Sequence, residues 1–155
     1  MLKPIIAVVG GSTVSTEVYQ TAREVGRSVA EAGALLITGG LGGVMEAASQ
    51  GAKEKGGTVI GILPGLSHQD ANPYVNIPIV TGLGDGRNML IVQTAQAVIA
   101  LPGEYGTLSE IALALKIGRP VVSLESWEIS SDILKAQTPR EAVEKAMKMI
   151  DSRRP

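Results

Sequence analysis

The residues able to do chemistry in this chain gather in three glycine-rich segments and one arginine-bearing turn. The most informative is Pro102-Gly103-Glu104-Tyr105-Gly106-Thr107-Leu108-Ser109-Glu110. It places Gly106 and Thr107 at a helix start, where unpaired amides attract phosphate oxygens, and the Thr107 hydroxyl can add a contact. Glu110 then lies one turn inside the helix, with a carboxylate able to face the same crevice. The spacing of Thr107 and Glu110 also satisfies a capping box, which would give both a purely local role. Gly10-Gly11-Ser12-Thr13 can offer the Gly11 amide and the Ser12 hydroxyl to an anion. It is neither the full Gly-x-Gly-x-x-Gly dinucleotide signature nor a Walker loop with its lysine. Gly39, Gly40, Gly42 and Gly43 would let a phosphate or ribose approach bare backbone, or else allow a strand and helix to pack closely. Arg87 follows Gly82-Leu83-Gly84-Asp85-Gly86 near another helix start. A cation gains nothing from the dipole there, whereas its planar fork of donors suits a phosphate. A pair with Asp85 is the alternative.

These segments need a scaffold that brings them together, and the apolar pattern supplies one. Residues 5–9 form a continuous apolar run that ends in the first glycine turn, as a buried strand would. Val18, Ala22, Val25 and Val29 recur at helical spacing, predicting a helix over residues 15–32 closed by Gly33. Strands are expected over residues 34–38, 58–63, 77–80, 97–101 and 121–124. Helices are expected over residues 44–55, from near Asp85 with that side chain as its cap, and over 108–117. The last helix has Thr138 as cap, Pro139 in its first position and Glu141 completing a capping box, with Val143, Ala146, Met147 and Ile150 as its packing stripe. Strands and helices alternate, and glycine turns mostly follow strands. The expected fold is therefore a Rossmann-like three-layer α/β/α sandwich with a mostly parallel central sheet, one phosphate-binding domain over residues 1–155. Right-handed crossovers collect the turns along one sheet edge, where such folds bind ligands.

Composition narrows the function classes. The 155 residues include 19 glycines, no cysteine, no Phe, one Trp and three Tyr. Aliphatic residues must fill the interior, as in a sheet covered on both faces. A formal charge of −1 gives no field for a nucleic-acid backbone. No apolar stretch reaches the length of a membrane span, and the start leaves no room for a signal peptide, so a cytoplasmic protein is expected. Without cysteine there is no disulfide or thiolate chemistry. His68 is the only histidine, so no metal site is expected, and it reads as a surface-loop residue. Trp127 reads as a packing or interface residue.

The segment from Pro102 to Glu110 resembles the Pro-Gly-Gly-x-Gly-Thr-x-x-Glu signature of the Lonely Guy family of cytokinin-activating phosphoribohydrolases, long labelled lysine decarboxylases. Thr38-Gly39-Gly40-Leu41-Gly42-Gly43-Val44-Met45 is similar to that family's Gly-Gly-Gly-x-x-Gly-x-Met element. The likeness runs from the first strand through Val122. It also extends to the related branch containing the molybdenum cofactor carrier protein, which binds a phosphorylated pterin rather than hydrolysing a nucleotide. The resemblance implies that the glycine loops hold a nucleoside 5′-monophosphate, with Arg87 and Glu110 flanking the N-glycosidic bond. Pro102, Gly103, Glu104, Gly106 and Thr107 then correspond to the phosphate loop, Met45 to the second motif, and Asn88 to the residue after the arginine.

On that likeness the reaction would release the free base and ribose 5-phosphate, with no metal or cofactor required. Glu110 would orient water and stabilise positive charge on the ribose. Homodimers or larger homo-oligomers are implied as well. Three departures favour a relative with an altered ligand or no hydrolysis, which makes a carrier of a phosphorylated ligand, nucleotide or pterin, the second reading. Glu104 replaces a glycine, Thr38 replaces another, and Asn88 stands where the hydrolases usually have lysine. Lysine decarboxylation is disfavoured, since no motif identifies the electron-sink cofactor it needs.

Overall fold

The computed structural model describes residues 2–155. Its sheet has seven strands: β1 (Ile5–Val9), β2 (Leu35–Thr38), β3 (Val59–Leu63), β4 (Ile77–Val80), β5 (Ala97–Ala100), β6 (Val121–Ser123) and β7 (Leu134–Lys135). They lie in the order β4-β3-β2-β1-β5-β6-β7, every neighbouring pair parallel. The helices are α1 (Thr16–Glu31), α2 (Val44–Glu54), α3 (Arg87–Thr94), α4 (Tyr105–Lys116) and α5 (Pro139–Ser152). The alternation of side chains along each strand distributes the core. Ile6, Val8 and Leu36 face one way, under α1, α2 and α5, whereas Ala7, Val9 and Ile37 face the other, under α3 and α4. The result is a three-layer α/β/α fold of Rossmann-like kind. No helix among the described residues is long and apolar enough to cross a membrane.

The order of strands places the site. From β1 the chain moves outward through β2, β3 and β4, then crosses back so that β5 pairs with the other side of β1. Loops leaving β1 and β5 therefore diverge to opposite faces, which opens a crevice at their carboxyl ends.

Several boundaries differ from the sequence expectation. A short 3₁₀ turn over Gly84–Gly86 precedes α3, which opens at Arg87, two residues after Asp85, and neither Asp85 nor any other side chain caps it. Helix α4 starts at Tyr105 instead of residue 108, so Thr107 and Glu110 are interior positions and form no capping box. At α5, Thr138 Oγ1 accepts from the Glu141 amide at 3.1 Å, but Glu141 Oε2 accepts from Gln137 at 2.9 Å, one residue earlier than a standard box requires. Strand β7 was not anticipated. It has only two residues, too few for a period, and is held by register against Val122 and Ser123.

Helices α1 and α2 approach at backbone contact. A Cβ on Gly26 would lie 1.9 Å from the Ala48 carbonyl oxygen, and one on Gly51 would lie 1.8 Å from that of Arg23. Alanine has the better helix propensity by about 1 kcal/mol, but a methyl against fixed backbone forces the helices apart. Gly51→Ala should therefore destabilise the protein by about 2–3 kcal/mol in urea denaturation; unchanged stability would show that the two helices separate freely.

Candidate functional site

Hydrogen bonds stitch the three carboxyl-end loops into one wall. The Gly11 amide donates to Pro102 O at 2.9 Å, joining the loops after β1 and β5. Gly11 O in turn accepts from the Val44 amide at 2.9 Å, joining the β1 loop to the start of α2. Between them opens a cleft of about 710 Å³. Its floor and sides take Gly11 and Ser12 from the first loop, Met45 from α2, Arg87 and Asn88 from α3, and the run Pro102–Thr107 with Glu110. The structure thus brings together most of the residues singled out from sequence.

Gly39, Gly40, Gly42 and Gly43 do not line this cleft. Their lack of side chains serves packing behind it. A Cβ on Gly39 would lie 2.6 Å from Arg87 Nη2 and 2.7 Å from Met45 Sδ, so this glycine makes room for the guanidinium. Gly43 has φ +63, and its Cβ would meet Gly11 O at 2.2 Å. His68 lies away from the cleft in an exposed 3₁₀ turn.

Arg87 is the cation of the site. It is 8% exposed, and its Nε is buried without a hydrogen-bond partner. One Nη1 hydrogen goes to Asn88 Oδ1; Asn88 Nδ2 donates to Ser109 Oγ at 3.2 Å, and Ser109 Oγ donates to Gly106 O at 2.7 Å. This relay fixes the guanidinium relative to the first turn of α4, whose leading amides have no partners inside the helix. Among the described residues no carboxylate forms an ion pair with Arg87. Burial lowers its pKa, while the more distant Glu110 and Asp85 oppose that shift. The pairing with Asp85 left open by sequence is therefore a long-range attraction rather than a contact.

Glu110 sits one turn deeper in α4 and is 7% exposed. Burial pushes its carboxyl up to about 8, with Arg87 pulling the other way. Burial thus disfavours the ionised form of this carboxyl. Thr107 is buried beside it, and Gly103 must remain bare because a Cβ there would lie 2.1 Å from Thr107 Oγ1. Glu104 occupies the N-cap position of α4 with φ −103, outside the left-handed region that favours glycine, and its exposed side chain makes no capping bond.

Trp127 packs, as the sequence suggests, but its partners could not be read there. Its Nε1 donates to Gly103 O at 3.0 Å, anchoring the loop after β5. Its ring also stacks on Tyr105, with centroids 6.4 Å apart and planes at 26°. The signal was present, since a half-buried indole needs an acceptor, but nothing in the local pattern named which one. Among the described residues no group of three or more His, Cys, Asp or Glu side chains is arranged to hold a metal ion.

The fold matches solved structures over nearly the full chain. The structure is similar to that of the molybdenum cofactor binding protein from Rippkaea orientalis, with 39% identity and a TM-score of 0.91 over 97% of this chain and 99% of that one. It is similar also to the molybdenum cofactor carrier protein of Chlamydomonas reinhardtii, with 36% identity and a TM-score of 0.86 over 96% of this chain and 99% of that one. A third relative, the cytokinin riboside 5′-monophosphate phosphoribohydrolase of Mycobacterium tuberculosis, is 32% identical over 130 residues, 75% of this chain and 67% of that protein. From residue 3 to residue 152 the chain matches the SLOG cluster4 family, and it belongs to that family.

Proposed function

We propose that this protein binds and carries a small phosphorylated ligand in the cleft beside β1 and β5, without hydrolysing it. The observation that carries this reading is Arg87, a buried guanidinium with an unpartnered Nε on the wall of a cleft that also receives the leading amides of α4. An anion would supply the missing partner and use both sets of donors. Likeness to two proteins named for the molybdenum cofactor supports a carrier, and a phosphorylated pterin or a nucleotide is the ligand class.

Phosphoribohydrolysis is the second reading, favoured by Arg87 and Glu110 lining one cleft and by the likeness to the mycobacterial enzyme. With its carboxyl held near 8, Glu110 in that reading protonates the leaving base rather than stabilising positive charge on the ribose. Incubation with a panel of nucleoside 5′-monophosphates, with free base followed by chromatography, separates the readings. No base should be released, while calorimetry detects binding of ribose 5-phosphate. Release that disappears in Glu110→Ala would establish the hydrolase instead.

A further inference from the structure

The cleft has donors for an anion, but those donors do not distinguish one phosphorylated compound from another. Selectivity needs a contact with the remainder of the ligand, and one residue is placed for it. Tyr105 opens α4, adjacent to Gly106 and Thr107, and among the described residues it is the only aromatic side chain lining the cleft. It is 80% exposed. One ring contact is taken by Trp127, whose own indole is pinned to Gly103 O. The chain has four aromatic residues in all, one Trp and three Tyr, and two of them are committed to this stack.

We propose that Tyr105, backed by Trp127, is the specificity-determining contact of the cleft, a platform on which the planar heterocycle of the phosphorylated ligand stacks. The inference rests on the phosphate-binding reading above. Trp127 holds the tyrosine ring in place before the ligand arrives, so little side-chain freedom is lost on binding. The free amides lie one and two residues further along α4, so a phosphate there and a ring on Tyr105 are within the span of one nucleotide-sized molecule. Leu41, Met45, Val14 and Val18 give the cleft apolar contacts that a heterocycle can also use. A nucleobase and a pterin share this flat, polarisable shape, and stacking tolerates either.

The test compares guanosine 5′-monophosphate, which carries a ring, with ribose 5-phosphate, which does not, by calorimetry on the full chain. The wild type should bind the nucleotide more tightly. Tyr105→Ala should weaken the nucleotide by roughly tenfold, equivalent to ~1.4 kcal/mol, and leave ribose 5-phosphate unchanged. Tyr105→Phe should retain nucleotide affinity, since the ring and not the hydroxyl makes the contact. As an independent readout, emission from Trp127, the sole tryptophan, should change with the nucleotide and not with ribose 5-phosphate. Equal affinity of the wild type for both compounds, or equal losses for both in Tyr105→Ala, would overturn the ring contact while leaving the phosphate site intact. Failure of the wild type to bind either compound would remove the phosphate reading and this inference with it.

Discussion

Arg87→Gln should weaken ribose 5-phosphate binding by roughly a hundredfold while leaving the ligand-free protein at least as stable as the wild type. The affinity loss follows from the chemistry of the site. Arg87 is the only cationic side chain lining the cleft among the described residues, and it is held there by a hydrogen bond to the uncharged amide oxygen of Asn88. A hydrogen bond to a charged group contributes about 1.5–3 kcal/mol, and glutamine can replace only a neutral one. Stability should move the other way. A guanidinium that is 8% exposed, with a buried Nε and no ion-paired carboxylate, has lost water without full compensation. Removing that charge removes the desolvation cost. Calorimetry and urea denaturation on the same preparation check both limbs. Lower stability with unchanged affinity would make Arg87 a structural residue and leave the cleft without its anion anchor.

This opposition between binding and stability also explains which parts of the molecule were legible beforehand. The strands over 5–9 and 97–101 are continuous apolar runs ending in glycine or proline, and burial on both sheet faces leaves no other pattern for them. Their parallel pairing follows from the helices between them, and the position of the crevice follows from that pairing. Arg87 and Thr107 were visible as anion donors near helix starts that follow glycine turns, and Glu110 stood out through the motif shared with the phosphoribohydrolases. What could not be read was the division of labour among the glycines. Gly39 and Gly103 both look like bare backbone offered to a ligand, yet Gly39 makes room for Arg87 and Gly103 for Thr107. The first contact joins residues far apart in sequence, with no local period to reveal it, and the second depends on α4 starting at Tyr105. The start of α4 was misjudged for a related reason. Thr107-Leu108-Ser109-Glu110 is a capping signal in isolation, but the helix begins three residues earlier than that reading allows, at Tyr105, where Trp127 from a segment after β6 contacts both Gly103 and Tyr105.

Glu110→Gln should abolish a pH dependence that the wild type carries in both stability and binding. The folded protein keeps the Glu110 carboxyl at about 8 against an ordinary value of 4.5, because burial disfavours its charge more than Arg87 favours it. The folded state therefore binds this proton more tightly than the unfolded chain does. Its contribution to stability is fully present below the unfolded value, declines as pH rises, and is lost once pH passes the folded value. Over that window the loss is on the order of a few kcal/mol. Glutamine fills the same space and cannot ionise. The variant should match the wild type at about pH 5 and exceed its stability by about 2 kcal/mol or more at about pH 9, in urea titrations of the ligand-free protein. Glu54 and Glu141, whose carboxyls are held below their ordinary value by arginine partners in one case and by Gln137 and Lys145 in the other, act on the acidic side and are common to both proteins. They cancel in the comparison. The ligand gives a second limb. A protonated Glu110 can donate to a phosphate oxygen, whereas an ionised one repels it, so wild-type affinity for ribose 5-phosphate should fall above about pH 8 and that of the variant should not. A variant destabilised equally at both pH values would mean that Glu110 is ionised in the fold and held by a partner. That outcome would return to this residue the charge that stabilising a positively charged ribose requires.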